Sequence, residues 1–217
     1  MRRVPKRIPN DCRILDRFDG TLPELKSLLF ILSKAWDYGS SSNEKFIPYR
    51  DFSCLGKSFG KSSCYVSGYV RNAVNSNRWL RDYIGIKYGD NGCFVVYKEP
   101  MCDVISDGAT NFYQIYMEDV SQFTRLLGLR LYLLYMRDRN RVNVISGDSV
   151  TYTGSKFQKI CGISNIKSLY TVFSRCSDEF SSITGVKVSI TKNKRDDMWN
   201  ITYSHTNNSY DNGLEGE

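Results

Sequence analysis

Two short stretches of the chain combine Lys, Arg, Asn, Ser and Thr at spacings typical of the outer side of a helix. The first stretch contributes Lys61, Ser63, Ser67, Arg71 and Asn72. The second contributes Asn165, Lys167, Ser168, Thr171 and Arg175. Arg and Lys can donate to guanine, Asn can pair with adenine, and Ser and Thr can contact phosphates. Because any surface helix can carry such residues, their position in the fold must decide whether they bind nucleic acid.

A third group of cations lies in a predicted β-turn and consists of Lys192, Lys194 and Arg195. Such a turn can reach a phosphate backbone or a minor groove. Asp196 and Asp197 follow directly and dilute the positive charge.

Enzymatic chemistry has little support in the sequence. The chain has one histidine, His205, so Ser–His and Cys–His pairs have no credible base. Gly-Lys-Ser occurs at Gly56–Ser58 and Gly60–Ser62, but each copy lacks the first glycine of a phosphate-binding loop. The carboxylates are scattered and no cysteine pair has CxxC spacing. We therefore expect no catalytic residues, no metal and no cofactor.

The composition is that of a folded, basic protein. The 217 residues are 41% hydrophobic and carry a formal net charge of +7, which suits a polyanionic partner. The seven cysteines predict buried free thiols in a reducing compartment. No apolar run approaches the ~20 residues of a membrane span, and the N-terminus lacks a signal-peptide pattern. These features predict a cytoplasmic protein without membrane contact.

The order of predicted elements points to a fold class. After a helix around Leu131, the second half shows a short strand, two helices and a hairpin, which predicts one winged helix. The predicted ranges are 150–152, 155–161, 165–178, 186–190 and 198–203. In the first half, a helix over Leu22–Tyr38 starts the same order. Its later elements are predicted at 46–49, 50–57, 62–75, 81–88 and 93–98. The helix at 62–75 is predicted to have one apolar side, which carries Tyr65, Val66, Tyr69, Val70 and Val74.

The two halves match at a fixed offset of 105 positions. Leu28–Ile31 falls on Leu133–Met136, and the later matches are Phe52 with Phe157, Leu55 with Ile160, and Tyr65 with Tyr170. The sequence therefore predicts an α+β fold of two tandem winged-helix domains related by pseudo-duplication.

Five segments divide the chain on this interpretation. They are a basic N-terminal arm (1–20), a first winged helix (21–99), a linker (100–111), a second winged helix (112–204) and a polar tail (205–217). The arm is a solvated terminus, a segment that lies along phosphates, or one that packs across from the other domain. The run from Arg137 to Arg141 is interpreted as cations at a helix C-terminus.

The stretch Leu129-Arg130-Leu131-Tyr132-Leu133-Leu134 resembles the replication initiators of iteron-containing plasmids. Those proteins carry an Arg-Leu-Tyr-x-Leu-Leu helix at the start of a second winged helix. The order and spacing of Phe157–Ile160, Gly162, Tyr170, Phe173 and Trp199–Ile201 are similar as well. The resemblance is clearest over residues 112–203.

This resemblance implies a non-enzymatic initiator that binds repeated double-stranded origin sites and recruits host replication proteins. It also implies a possible homodimer through the first domain, with repression of its own promoter. Two alternatives stay open: a winged-helix transcriptional regulator of a plasmid, phage or mobile element acting at operator sites, and a protein-interaction module that does not bind DNA.

Overall fold

The computed structural model describes residues 5–9, 14–36, 44–56, 59, 63–98, 101, 112–139, 149–163, 166–193 and 196–205. Within this part of the chain, no helix is both long and apolar enough to cross a membrane. The architecture is the predicted α+β pair of winged helices, each a group of helices beside a three-stranded antiparallel sheet.

The first half begins with β1 (Lys6–Pro9), α1 (Ile14–Arg17) and the long helix α2 (Leu22–Ser33). The backbone N–H of Thr21 donates to the Glu24 carboxylate at 2.6 Å, which fixes the start of α2. The helix predicted over residues 22–38 is α-helical up to Ser33 and continues as a 3-10 turn, Lys34–Trp36. Residues 37 and 38 lie outside the described part of the chain. The half continues with β2 (Glu44–Pro48), a 3-10 helix (Tyr49–Leu55), α3 (Ser63–Ser76), a 3-10 helix (Arg78–Asp82), β3 (Ile84–Tyr88) and β4 (Gly92–Tyr97).

The predicted α-helix at 50–57 is a 3-10 helix, and its spacing explains why. Tyr49, Phe52 and Leu55 are all buried and recur every three residues. A helix with three residues per turn places such residues in one line, which an α-helix does not.

The second half contains β5 (Phe112–Ile115), α4 (Met117–Gln122), α5 (Leu126–Asp138), β6 (Ser149–Thr153), α6 (Gly154–Cys161), α7 (Ile166–Thr184), β7 (Val186–Asn193) and β8 (Met198–His205). Gly128 lies inside α5, and α4 and α5 are separated at Phe123–Arg125. Helix α7 runs six residues beyond its predicted end at Asp178. His205, assigned to the tail, pairs with Val186 in the sheet.

The two sheets share one topology. Their strand orders are β2-β4-β3 and β6-β8-β7. In each sheet, the strand that comes last in the sequence lies in the middle. Phe46 faces Phe94 across the first sheet, and Thr151 faces Asn200 across the second. Phe46 and Thr151 are 105 positions apart, which is the offset that relates the halves in the sequence.

A third, two-stranded sheet joins the halves. β1 pairs antiparallel with β5, and Ile8 lies opposite Tyr113. These two residues are also 105 positions apart, so the pairing of the two strands is centred on one pair of equivalent residues. Antiparallel pairing of equivalent residues places an approximate two-fold axis between the halves.

Each half also contributes a short helix that packs against the other half. α1 packs against α6 of the second half, and α4 packs against the 3-10 helix Tyr49–Leu55 of the first half. Among the alternatives for segment 1–20, packing across from the other domain is the one that its described residues match. The predicted domain boundaries themselves stay a prediction.

The buried apolar residues form one core cluster that continues through both halves. Leu28, Leu29, Leu133 and Leu134, which match at the 105-residue offset, are all fully buried. Met101, within the predicted linker, is also fully buried. The other linker residues up to Asn111 lie outside the described part of the chain, as do residues 206–217 of the predicted tail.

Candidate nucleic-acid interface

Helix α3 is the second helix of the first helix-turn-helix, and one side of it is fixed to the core. Val66, Val70 and Ala73 are buried, whereas Ser67 is partly exposed. Phe59, in the turn before α3, is buried and meets the Tyr69 ring edge-on at 5.7 Å. The opposite side of the helix faces solvent and carries Arg71 and Asn72.

Tyr65 departs from the sequence prediction, which placed it on the buried side of this helix. Its side chain is 66% exposed. On a helical wheel, Tyr65 and Asn72 are seven residues apart and share the outer side, while Val66 and Val70 define the inner one. Tyr65 is therefore a candidate contact residue that the periodicity argument assigned to the wrong face.

Arg71 is held in place by the first wing, which is the hairpin of β3 and β4. Its guanidinium carbon lies 5.0 Å from the ring centroid of Tyr88, at the end of β3. Burial raises the pKa of Tyr88, and the nearby Arg71 acts in the opposite direction. A cation held over an aromatic ring has a restricted position, so the exposed Arg71 is preorganised for an anionic or guanine partner.

Helix α7 has the same role in the second half. Leu169, Phe173 and Cys176 are buried along one side, and Thr171 and Arg175 are exposed on the other. Asp178 is exposed one turn after Arg175. The outer side of α7 in the described residues thus combines a cation with a carboxylate, whereas the sequence of α3 contains no Asp or Glu.

The burial pattern changes the alignment of these two helices. Val66 and Leu169 are buried, as are Val70 and Phe173, and Ala73 and Cys176. Each pair is separated by 103 positions and not by 105. The ungapped match of Tyr65 with Tyr170 is therefore wrong at the structural level, because the turn of the second half is two residues shorter. Asn72 then corresponds to Arg175, and Gly68 corresponds to Thr171.

In the second wing, the turn between β7 and β8, the described cation Lys192 is paired with a carboxylate. The ammonium group of Lys192 lies 2.8 Å from the Asp197 carboxylate and 5.8 Å from the Trp199 ring. The backbone N–H of Gly154 donates to the Asp197 carbonyl, which ties the turn to the start of α6. Asp197 neutralises Lys192, as the adjacent acidic residues in the sequence indicated.

Several predicted contact residues cannot be placed in the same detail. Lys61, Asn165, Lys194 and Arg195 lie outside the described residues. Ser63 begins α3, and Lys167 and Ser168 lie in the first turn of α7, as the sequence predicted for a second helix. The set of contact residues therefore stays a prediction, and the described members divide between two helices and one wing.

Two exposed cations on α6 were not among the predicted contacts. Lys156 and Lys159 are both exposed and are one turn apart on this helix. The first helix of a helix-turn-helix crosses the DNA backbone, so these lysines are candidate phosphate contacts. Their i, i+3 spacing was visible in the sequence, and it gains meaning because Phe157 and Ile160 fix the other side of the helix in the core.

Arg130, in the stretch that carries the resemblance, is a structural cation. Its guanidinium donates to the carbonyls of Ile160 at 3.0 Å, Lys159 at 3.3 Å and Phe18 at 2.8 Å. It thereby satisfies the C-terminal carbonyls of α6 and binds them to the segment after α1. Burial lowers the pKa of Arg130, but a guanidinium remains charged at neutral pH.

Lys26 makes equivalent contacts in the first half, although it is 104 and not 105 positions from Arg130. Its ammonium donates to the carbonyl of Leu55 at 3.0 Å, at the end of the 3-10 helix, and to Ser121 of α4 at 2.8 Å. Leu55 and Ile160 are again 105 positions apart. Burial lowers the pKa of Lys26 to about 8, and Glu179 opposes this shift. Each half therefore contains a buried cation that binds the helix contributed by the other half.

The other signature residues are also structural. Tyr132 donates to Asp119 at 3.4 Å and accepts the backbone N–H of Tyr116 at 2.8 Å, at the start of α4. Arg137 does not lie free at the helix end, because it contacts Asp138 at 3.3 Å and Tyr152 at 3.0 Å. Arg137 lies in the last turn of α5, as the interpretation of the 137–141 run as cations at a helix C-terminus predicted.

The cysteines are partly as predicted. Cys93, Cys161 and Cys176 are buried free thiols, but Cys54 is exposed. Burial raises the pKa of Cys93 to about 11 and that of Cys161 to about 12. Thiols with such pKa values are protonated at neutral pH and are poor nucleophiles.

No protein-family model matches this chain, and no curated protein matches it by sequence. Among solved structures, it is similar to the crystal structure of Pi initiator protein in complex with iteron DNA. The TM-score is 0.59 at 8% sequence identity, and the match covers 94% of this chain and 97% of that chain. At this identity the likeness shows the fold, and it extends over both winged helices.

Proposed function

We propose that this chain binds double-stranded DNA sequence-specifically as a replication initiator at repeated origin sites. The observation that carries the proposal is the pair of second helices, α3 and α7, each fixed to a core on one side and exposed on the other. In a helix-turn-helix this exposed side enters the major groove. An approximate two-fold arrangement of two such helices suits successive grooves of one duplex.

The chemistry of the exposed residues agrees with this role. Arg71, Asn72, Thr171 and Arg175 offer donors and acceptors for base edges, and Lys156 and Lys159 offer cations for phosphates. The net charge of +7 adds general attraction to the duplex. The fold shared with an initiator crystallised on iteron DNA favours an origin as the site.

The experiment that tests DNA binding is selection of sites from a random duplex library by the full chain. We expect enrichment of one sequence, with an affinity that falls steeply as salt concentration rises. Failure to enrich any sequence, with binding independent of salt, would contradict the proposal and favour a protein-interaction module.

A second experiment separates an initiator from a regulator. The selected sequence is placed in tandem beside an AT-rich segment on a supercoiled plasmid, and unpaired thymines are mapped with permanganate. We expect melting of the segment when the protein is added. Site-specific binding without melting, in the presence of host replication proteins, favours the transcriptional regulator.

A surface of the first sheet favours a protein partner in addition to DNA. Phe46 and Phe94 are 49% and 44% exposed, and their rings lie 4.8 Å apart. Val96, on the same face, is 37% exposed. We propose that this outer face forms a homodimer, which would support autorepression. Replacing Phe46 with Thr and Phe94 with Asn, the residues of the second sheet, should abolish dimers in sedimentation velocity; persistence of dimers excludes this face.

A further inference from the structure

Helix α3 contains a glycine whose described neighbours leave room for a side chain. Gly68 lies in the middle of the helix, and a Cβ built on it would meet nothing within 4 Å. Glycine in a helix interior lowers stability relative to alanine. Because no neighbour within the described residues excludes a methyl group here, the reason for glycine is sought outside the chain.

The missing side chain at Gly68 leaves a gap between neighbouring side chains on the outer side of α3, which is named the hollow. Tyr65 precedes it by one turn, and Arg71 and Asn72 follow it by one turn, so all three share its face. Tyr65 is 66% exposed, and Arg71 and Asn72 are exposed as well. The hollow thus has an aromatic ring at one end and hydrogen-bonding groups at the other.

We propose that the hollow over Gly68 receives the C5-methyl group of a thymine in the major groove, with the Tyr65 ring packed against that methyl. This inference rests on the proposed DNA-binding function and assigns part of its specificity. Thymine carries the apolar group of the major groove, and apolar contact with its methyl is one of the recurrent modes of base recognition. A helix without a side chain at position 68 can approach the base edge more closely.

The second half lacks this feature, which makes the inference specific to α3. At the structural offset of 103 positions, Gly68 corresponds to Thr171 and Tyr65 corresponds to Ser168. Thr171 has a Cβ and a branched side chain, so the corresponding surface of α7 is filled. Thymine recognition through a hollow is therefore assigned to α3 alone of the two second helices.

The decisive variant is Gly68→Ala, because its expected effects on folding and on binding have opposite signs. An alanine should leave the midpoint of thermal unfolding unchanged or raise it by about 1–4 °C. On the duplex selected by the wild-type chain, the affinity should fall by about tenfold or more, since a methyl group fills the hollow. Ser76→Ala, at the exposed end of the same helix, is the matched control and should bind like the wild type.

A substitution in the DNA identifies the methyl itself. Each thymine of the selected duplex is replaced in turn by deoxyuridine, which lacks only the C5-methyl. One position should weaken wild-type binding by about fourfold, and the same substitution should have no further effect on Tyr65→Ala, which isolates the pair.

The outcomes separate this inference from the function on which it rests. If the wild type selects no sequence, the proposed DNA binding fails and the inference fails with it. If the wild type selects a site but Gly68→Ala binds it equally well, the hollow is overturned while DNA binding stands. If every deoxyuridine duplex weakens Tyr65→Ala as it weakens the wild type, the ring does not contact a thymine methyl.

Discussion

The outer faces of the two sheets occupy equivalent places and have opposite chemistry. In the first sheet, Phe46 lies opposite Phe94 and both rings are exposed. In the second, Thr151 lies opposite Asn200, and the two side chains hydrogen-bond at 2.8 Å. The strand order and pairing are shared, so the scaffold does not require either chemistry. The homodimer proposed above would therefore use a face that only the first sheet has among the two three-stranded sheets.

The second helices differ in a similar way. α3 and α7 bury residues at the same spacing, yet α3 has the exposed Tyr65 and the partly exposed Gly68 where the corresponding residues of α7 are Ser168 and Thr171. A pseudo-duplicated fold thus keeps its inner residues in register and diverges on its outer ones. Function is expected where equivalent positions differ, and stability where they agree.

The buried cations bind equivalent carbonyls, Leu55 and Ile160, but they differ in type. Arg130 donates to three carbonyls, and Lys26 donates to two. A guanidinium stays charged under all ordinary conditions, while burial lowers the pKa of the Lys26 ammonium to about 8. The contacts that Arg130 makes between the halves are therefore stronger than those that Lys26 makes.

Replacement of each buried cation by methionine tests this asymmetry and should give the largest effect. Arg130→Met leaves buried carbonyls of Ile160 and Phe18 without donors and should lower the free energy of unfolding by about 3 kcal/mol. Lys26→Met removes a costly buried charge as well as its hydrogen bonds, so the loss should be about 1 kcal/mol. Urea titration measures both variants. Equal losses would show that the two halves depend equally on these contacts.

Replacement of the exposed arginines compares the two second helices. Arg71 is preorganised over Tyr88 and α3 carries no carboxylate, whereas Arg175 lies one turn from Asp178. Arg71→Ala should therefore weaken site-specific binding by about 2 kcal/mol and Arg175→Ala by about 1 kcal/mol. Arg78→Ala removes an exposed cation outside both helices and serves as the charge control. A larger loss of binding for Arg175→Ala than for Arg71→Ala would show that the second half contributes more to site-specific binding.

The pH dependence of stability should distinguish Lys26 from Arg130. The pKa of Lys26 is lowered from 10.5 in the unfolded chain to about 8 in the folded one, so the unfolded state binds more protons between these values. Stability linked to Lys26 therefore rises with pH in this window, by about 1–2 kcal/mol from pH 7.5 to 9.5. Urea titration of the wild type and Lys26→Met at both pH values isolates this contribution. A difference between them that does not change with pH contradicts the lowered pKa.

The sequence predicted the fold well because hydrophobic spacing and element order are local signals. The matched pairs of leucines in α2 and α5 are buried as their periodicity required. It predicted the site less well, because the side of a helix that faces the core depends on tertiary packing. Tyr65 fits an apolar stripe with Tyr69 in the sequence, but the inner side is set by Val66 and Val70.

The roles of the signature residues were also beyond the sequence. Arg130 lies within an apolar helix, and nothing near it in the chain reveals that its partners are the carbonyls of Phe18, Lys159 and Ile160. The two-residue change of offset arises in a turn, where chain length varies at little cost. Such features require the positions of segments that are distant in the sequence.

The second wing offers the smallest test, because its one described cation at the turn is already paired. Asp197→Asn removes the partner of Lys192, and asparagine tolerates the positive φ of 47° at this position. The freed ammonium should strengthen DNA binding by about twofold to threefold and steepen the salt dependence by about one phosphate contact. Asp196→Asn removes the same charge, but Asp196 accepts a hydrogen bond from Asn193 and not from Lys192. If the two variants bind alike across a salt titration, overall charge and not the Lys192 pair governs the contact of this wing with DNA.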